Sequence, residues 1–431
     1  MNHFALNLTA VSPLAIRADH APDGVASASY IAGSALVGSL AATYRLFHND
    51  SAETFEDLFL HERVLYPNLY PATFENAYIQ NAQAQPVYPS PLTARTCKRH
   101  EGFRDSPDDG FGDKRHGVRD SLFDRALCKL ARKANNGRST DKLLKILDSQ
   151  KDCKVCGKPM KHFSAFYRRN PQKAEQMMVA TAHTRVQTHS GINRATGTVQ
   201  EGILYSREVF QEQTRFWGMV KVPEELAERF TDFVRQVGKS GLLRIGTGRS
   251  RGLGKVELSA LPLDEEPYGF EAFRQRLQAF DQAFQEQAEK IKQAQKIELA
   301  LEPGHFYFAL TLHAPAILRD ELLRYRGSLD KRTLAELMKS AELPADSFQE
   351  IYLAAETRRV TGWNELWGTP RAHEFAIGTG SVFFFASRIG ANETLLRELF
   401  RLEQEGIGQR RAEGFGRLCV SDPFHLEVEL R

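Results

Sequence analysis

The chain has 431 residues, which is enough for about two or three domains that each bury a hydrophobic core. Its formal net charge is only +3, so total charge does not indicate a partner, and its apolar runs are shorter than the roughly 18 residues of a membrane helix. Five cysteines, with one C-x-x-C pair, fit a reducing compartment better than a disulfide framework. The sequence therefore predicts a cytoplasmic globular protein without membrane contact.

The first half of the sequence combines strands and helices around a long insertion. Alternating apolar residues predict a strand over 4–10, and Gly33 opens a predicted helix that ends near residue 47, with Ser34 as its N-cap. The segment of about 50–175 is predicted to be inserted. The elements predicted after it are strands at 177–186, 202–210 and 215–222 and a helix at 223–237.

Two glycine-rich segments that also carry arginines lie near the ends of the two halves. The first glycine loop spans 246–254 and the second spans 406–416, and each follows a helical stretch and leads into a strand. Glycine lets the backbone N–H groups approach an anion, and arginine can bind a phosphate with two donors. We therefore predict a duplicated module that holds a polyanion. The predicted contacts in these loops are Gly246, Gly248, Arg249, Ser250, Arg251, Gly252, Gly408, Arg410, Arg411 and Gly414.

The second half repeats the order of helix, glycine loop and strand. A long charged helix of about 270–297 is predicted to connect the halves, and an alternating strand at 305–313 follows it. Strands mixed with two helices in each half predict an α+β fold of two ferredoxin-like modules with helices on one face of each sheet. RNA-binding modules often use the open face of such a sheet. The predicted domains are a first module over 1–262, a helical connector over 263–297 and a second module over 298–431.

The part of the insertion over about 95–160 has the pattern of a structural metal site. Two cysteines spaced by two residues can chelate zinc in a tight turn, and Cys97 and His100 form a second pair at the same spacing. An insertion rich in loops is hard to fold without such a site, although reduced thiols without metal in a flexible insertion are the other interpretation. The predicted zinc ligands are Cys97, Cys153, Cys156 and, as first choice for the fourth, His100, with His116 and Cys128 as alternatives.

Three segments of the sequence resemble the RAMP proteins, the RNA-binding subunits of CRISPR effector complexes. Residues 31–40 resemble their I-P-G-S-S-L-K-G-A-L helix start, and residues 183–208 are similar to their R-x-x-I-D-R-x-T-G…L-Y-x-x-E hairpin. In the second half, 360–371 and 377–383 resemble the G-G-W…R-P…A-G-S-V segment of the group-five subunits of type III systems. The Trp-Asn-x-x-Trp-Gly form and the cysteine-bearing insertion look most like the type III-D member.

The resemblance implies a two-module RAMP subunit that grips the repeat-derived 5′ handle of crRNA. Such a subunit would contact the large Cas subunit and the backbone RAMP subunits, and would meet target RNA only indirectly. It would be a structural subunit rather than an enzyme. The further RNA-binding residues expected in the matching segments are Gly33, Ser34, Arg185, Arg194 and Arg359.

Two other functions compete with the scaffold interpretation. A metal-independent endoribonuclease that processes precursor crRNA would need a general base, for which His20 and His183 are candidates, with Arg185 or Arg249 beside them. A nucleotide-binding enzyme is excluded, because the first glycine loop lacks the G-K-[ST] ending and precedes a strand. Trp363 and Trp367 can stack on bases, but core packing is the preferred interpretation for both.

Overall fold

Two four-stranded antiparallel sheets, one in each half of the chain, organise the computed structural model of the protein. It describes residues 1–17, 26–48, 52–73, 86–104, 115–135, 151–169, 177–364 and 368–427. The first sheet has the order Val256–Pro262, Asn2–Ala10, Arg215–Val222, Tyr70–Pro71. The second has the order Leu418–Val420, Phe306–Leu312, Val382–Ser387, Phe348–Ala354.

Each sheet is accompanied by two helices at equivalent places in the chain. One helix follows the first strand and the other precedes the last strand, so both halves run strand, helix, strand, strand, helix, strand. These helices are Gly33–Phe47 and Ala227–Ser240 in the first half, and Lys331–Met338 and Glu393–Glu405 in the second. The predicted mixture of helices and antiparallel strands is therefore confirmed.

The remaining elements are short or lie outside the two sheets. The other helices are Ala52–Phe59, Leu122–Ala134, Phe270–Gln295 and Phe424–Glu427, with 3-10 turns at Glu224–Leu226, Arg249–Arg251, Glu266–Tyr268 and Ala345–Ser347. The other strands are Tyr88–Pro89, Ala94–Cys97, Val118–Asp120, Met160–His162, Phe166–Arg169, Met177–Ala180, Thr184–Ile192, Val199–Phe210, Thr357–Val360, Trp363–Asn364, Thr369–Pro370 and Glu374–Ile377. In the part of the chain that the structure describes, no helix is both long and apolar enough to cross a membrane.

The second sheet is buried on both faces. On one face Phe308 packs with Leu399 of the helix Glu393–Glu405, and on the other Phe384 packs with Phe284 and Phe123, with ring centroids 4.8 and 6.2 Å away. Phe284 belongs to the predicted connector helix and Phe123 to the insertion. The prediction of one open sheet face is therefore wrong for the second half. The connector helix covers that face and forms part of the core of the second half. Every residue of the strand Val382–Ser387 is buried and all but Ser387 are apolar, which is typical of a strand covered on both sides.

Buried polar contacts join the two halves. Lys221 of the first sheet is 3% exposed, and its Nζ donates to the carbonyl oxygens of Glu403 at 2.8 Å and Gln404 at 3.0 Å. These carbonyls end the helix that precedes the second glycine loop, where a cation is favoured by the helix dipole. Burial lowers the pKa of Lys221 to about 7. The halves thus meet through hydrogen bonds that are shielded from water.

The start of the helix Gly33–Phe47 differs from the prediction. Ala32 occupies the N-cap position, and no side chain caps the helix, so the predicted cap by Ser34 is wrong. Instead, the Gly33 N–H donates to Asn68 Oδ1 at 2.8 Å. An acceptor distant in sequence therefore satisfies the first of the four backbone N–H groups that have no partner within the helix.

Candidate functional site

The first glycine loop is anchored on the segment that follows the first strand, and it lies against the base of a long hairpin. The Thr247 N–H donates to the carbonyl oxygen of Ala15 at 2.9 Å, and a Cβ at Gly246 would lie 2.5 Å from that same oxygen. Gly248 has a φ of +77°, and a Cβ there would lie 2.9 Å from Nη1 of Arg207. The loop therefore needs glycine at these positions so that its backbone can lie against its neighbours, one of which is an arginine.

The hairpin places aromatic and basic side chains on the face that meets this loop. The strands Thr184–Ile192 and Val199–Phe210 pair with Tyr205 opposite His189 and Arg207 opposite Gln187. The His189 and Tyr205 rings stack with centroids 5.2 Å apart, and Arg251 Nη1 donates to the Tyr205 hydroxyl at 2.5 Å. Arg251 and Arg185 are exposed, although Arg185 also pairs with Glu212 at 2.8 Å.

We call this group the hairpin–loop surface. Its members are Arg185, His189, Tyr205, Arg207, Arg249 and Arg251. Stacked rings beside guanidinium groups can hold a nucleic-acid strand, because the rings stack on bases and the arginines bind phosphates. The sequence interpretation missed Tyr205, Arg207 and His189. The sequence feature that could have revealed them is the period of two along each strand, which puts Arg185, Gln187 and His189 on one face.

The second glycine loop has a different environment, because carboxylates pair with its arginines. Arg410 binds Glu374 at 2.6 Å and Glu413 at 2.7 Å, and Arg411 binds Glu62 of the first half at 3.2 Å. Burial raises the pKa of Glu413, but the Arg410 guanidinium outweighs it and holds that pKa below the ordinary value. These arginines, both predicted to bind RNA, form ion pairs within the protein.

Gly33 and Gly414 lie at the contact between the two halves. Asn68 links them, since its Oδ1 accepts from the Gly33 N–H and its Nδ2 donates to the Gly414 carbonyl oxygen at 3.0 Å. A Cβ at Gly33 would lie 2.5 Å from the Glu413 carbonyl oxygen, and one at Gly414 would lie 2.7 Å from Asn68 Oδ1. Close approach of two backbones accounts for glycine at both positions.

The other predicted RNA contacts are distributed over both halves. Arg194 is exposed in the turn of the long hairpin, and Ser250 and Gly252 are exposed in the first glycine loop, whereas Ser34 is half-buried. In the second half Gly408 lies against Ile317, and Arg359 contacts the ring of His373. The structure thus places Arg207 and Arg251 at the first loop, whereas Arg410 and Arg411 of the second loop pair with carboxylates.

Of the competing residues, two lie where the structure describes them. His183 is exposed at the start of the long hairpin. Trp363 is 60% exposed, so the preferred interpretation of core packing is wrong for it. His20 and Trp367 lie outside the described residues.

The cysteines of the insertion form a compact cluster. Cys97, His116, Cys153 and Cys156 each direct one ligand atom into a group whose atoms all lie within 4.8 Å of one another. Cys97 Sγ is 3.6 Å from Cys156 Sγ, and Cys153 Sγ is 3.4 Å from His116 Nδ1. A tetrahedral zinc with Zn–S of about 2.3 Å and Zn–N of about 2.0 Å requires edges of roughly 3.5–3.8 Å. The donor set and its spacing therefore fit a metal ion.

The fourth member of the cluster is His116, rather than the first choice His100. His100 lies beside the cluster, and its ring stacks on that of His116 with centroids 4.1 Å apart. Burial raises the pKa of the Cys97 thiol, but backbone N–H groups of His100 and Arg99 outweigh it and bring that pKa below its ordinary value. His100 thus supports the thiolate through its backbone. Cys128 packs elsewhere, against Ala131 and Ile297.

The family of the chain follows from comparison with known sequences. The profile of the RAMP superfamily matches residues 7–257, which is more than half of the chain. The chain therefore belongs to the RAMP superfamily, as its motifs predict. No curated protein sequence matches the chain significantly.

Several solved structures are similar to the chain at low identity. A chain in a cryo-EM structure of the Type III-B Cmr-beta bound to cognate target RNA is 12% identical, with 88% of this chain and 86% of that chain covered and a TM-score of 0.37. A chain in the same complex with target RNA and AMPPnP has the same identity and coverage and a TM-score of 0.36. A chain in the apo state of the Type III-B Cmr-beta is also 12% identical. It matches over 60% of this chain and 97% of that chain, with a TM-score of 0.28. The family assignment rests on the profile match alone.

Proposed function

We propose that the protein is an RNA-binding structural subunit of a type III CRISPR effector complex and that it holds the repeat-derived 5′ handle of crRNA. The observation that carries this proposal is the hairpin–loop surface, where Arg251 and Arg207 flank the stacked pair of Tyr205 and His189. Membership of the RAMP superfamily supports it. The glycine loops and the Trp-Asn-x-x-Trp-Gly segment favour the group-five type, most like the type III-D member.

The proposed architecture has two ferredoxin-like modules, over 1–262 and 298–431, joined by residues 263–297. The common order of strands and helices in the two sheets supports it. The insertion of about 50–175 belongs to the first module but contributes Phe123 to the core of the second. In the assembled effector, the partners would be the large Cas subunit and the backbone RAMP subunits, with target RNA met indirectly.

We also propose that the cysteine cluster holds one structural zinc ion. Zinc would tie the strand ending at Cys97 to the Cys153–Cys156 turn and to His116, which are separate segments of the insertion. Its four protein ligands leave no position for a reacting water, so its contribution is stability.

A matched pair of histidine variants tests the zinc site. Elemental analysis of protein purified without chelator should find about one zinc per chain, and His116→Ala should lose most of it. His100→Ala should retain the metal, because His100 supports Cys97 through its backbone N–H. Equal zinc content in His116→Ala and the parent protein would refute the ligand set. Cys153→Ser should lose the metal as well.

Direct RNA binding tests the proposed function. The parent protein should bind an RNA that carries a repeat-derived 5′ segment, and the double variant Arg207→Ala, Arg251→Ala should bind it at least tenfold more weakly. Arg235→Ala is the matched control, since Arg235 is exposed on a helix and pairs with Asp232. Equal affinity of the three proteins would remove the hairpin–loop surface as the RNA site.

The scaffold proposal also excludes catalysis, and a cleavage assay distinguishes the two. A labelled precursor with a complete repeat should stay intact with and without magnesium. Specific cleavage at one phosphodiester that His183→Ala or His20→Ala abolishes would establish the processing endoribonuclease instead.

A further inference from the structure

A row of two arginines and one histidine crosses the three-stranded sheet of the insertion, whose order is Val118–Asp120, Ala94–Cys97, Met160–His162. In this sheet Arg95 lies directly opposite Arg119 on one neighbouring strand and directly opposite His162 on the other. Opposite residues of antiparallel strands share a face, so the three side chains are neighbours. Like charges in this arrangement destabilise a sheet unless an anion compensates them.

Arg119 is buried, Arg95 and His162 are half-buried, and each of the three has at least one buried nitrogen atom that lacks a partner among the described residues. Arg119 is only 6% exposed, and its Nε and Nη2 atoms are buried with no hydrogen-bond partner in the described part of the chain. The same holds for Nε of Arg95 and Nε2 of His162. An ionised guanidinium without partners in the interior costs several kcal/mol, so three adjacent unsatisfied groups indicate a missing anionic ligand.

The groups around the row leave it positive. Asp120 follows Arg119 in sequence and so projects from the opposite face, where its Oδ2 accepts from His425 Nδ1 at 2.8 Å. Burial, and next the charge of Arg125, lower the pKa of Arg95, and these two effects outweigh the opposite influence of Tyr352 and Asp120. Glu356 is the carboxylate that acts on His162, but burial and Arg95 dominate and lower the pKa of that histidine.

We propose that Arg95, Arg119 and His162 form a binding site for a phosphate group. Two guanidinium groups on adjacent strands offer the paired donors that phosphate oxygens accept, and the imidazole adds a third contact. The phosphate is either an RNA phosphodiester or a free phosphate ion. This site shares no residue with the hairpin–loop surface and stands independently of it.

A zinc centre that includes Cys97 is the rival explanation for how the charge of the row is compensated. It lies on the same face as Arg95, two residues along the strand, and a zinc centre with three thiolates and one imidazole has a net charge of −1. That charge would offset part of the row without any phosphate. The two explanations differ in whether added phosphate changes the protein.

Thermal unfolding of the full chain tests the proposal. Inorganic phosphate, titrated at constant ionic strength against chloride, should raise the Tm of the parent protein saturably, by about 2 °C at ten times the dissociation constant. Arg95→Met and Arg119→Met should each abolish the shift, with zinc content unchanged. Arg95 is half-buried, which keeps the test usable if Arg119→Met folds poorly. Arg235→Met is the control and should shift like the parent.

A second arm identifies the source of the phosphate. A short single-stranded RNA should bind Arg95→Met at least threefold more weakly than Arg235→Met if the ligand is an RNA phosphodiester, even where inorganic phosphate gives no shift. A saturable phosphate shift with unchanged RNA affinity assigns the site to a free phosphate ion. Equal Tm shifts in all proteins, or no effect in either arm, would overturn the proposal and leave the thiolate centre as the compensating charge.

Discussion

The two glycine loops have similar sequences and different surroundings. In the first loop, Arg251 is exposed and donates to a tyrosine hydroxyl on a neighbouring hairpin. In the second, Arg410 is largely buried between Glu374 and Glu413, and Arg411 pairs with Glu62 of the other half. The first loop therefore leaves Arg251 exposed beside an aromatic ring, whereas both arginines of the second loop are engaged in ion pairs within the protein.

The glycines follow the same division. Gly252 of the first loop has a φ of +81°, and no atom of the described residues lies within 4 Å of the position of a Cβ, so its backbone conformation is what requires glycine. Gly414 of the second loop has a φ of +86° and also lies against Asn68 of the first half. A repeated motif thus does not carry a repeated function, because neighbours from elsewhere in the chain decide what each copy contacts.

The largest expected effect is that of removing glycine from the second loop. Gly414→Ala adds a Cβ at a positive φ and against Asn68, and should cost about 3 kcal/mol of stability. Gly252→Ala adds the same atom at a similar φ into open space and should cost about 1 kcal/mol. Denaturant midpoints of the two variants measure the difference. Equal losses would mean that the contact with Asn68 contributes nothing.

Exchanging arginine for methionine should also separate the loops. Arg410→Met leaves Glu374 and Glu413 partly buried without their common partner, and should cost about 2–3 kcal/mol. Arg251→Met removes an exposed side chain and should change stability by less than about 0.5 kcal/mol. The check is thermal unfolding without RNA. A stable Arg410→Met protein would show that the ion pairs of the second loop are dispensable.

The pH dependence of stability should report on Lys221, whose Nζ binds the carbonyl oxygens of Glu403 and Gln404 just before the second loop. Because burial lowers the pKa of Lys221 to about 7 from 10.5, the unfolded chain binds more protons between these values, and stability should rise with pH across that window. The gain from pH 7 to about pH 9 should be about 2 kcal/mol. Lys221→Met should lose this gain, whereas Lys239→Met, an exposed control, should keep it. Parallel pH profiles for both variants would contradict the assignment.

Local patterns were enough to predict much of the fold. The alternation at residues 4–10 and the helix opening at Gly33 correspond to Asn2–Ala10 and Gly33–Phe47. The C-x-x-C spacing indicated a metal-binding turn, and Cys97 joins it in the structure. These predictions are correct because periodicity and turn spacing depend on residues that are close in sequence.

The features that sequence reasoning missed depend on distant contacts. Glu62 pairs with Arg411 from 349 residues away, so no local pattern marks the second loop as structural. Tyr205 reaches Arg251 only because the hairpin register turns it toward the first loop. His116 replaces His100 in the metal cluster because the chain between Cys97 and His100 turns its backbone N–H groups toward the sulfur.

The smallest expected effect concerns how the first loop holds its arginine. Tyr205→Phe removes the hydroxyl that accepts from Arg251 but keeps the ring that stacks on His189, so RNA binding should weaken by about 0.5–1 kcal/mol. Tyr205→Ala removes the ring as well and should weaken binding by about 1 kcal/mol more. The slope of log affinity against log salt should be unchanged by both, since neither removes a cation, whereas Arg251→Ala should make it shallower. Affinity titrations at several salt concentrations separate these effects.

If Tyr205→Phe binds as the parent does while Arg251→Ala does not, the hydroxyl is not needed to position the guanidinium, and the first loop holds its arginine by backbone shape alone.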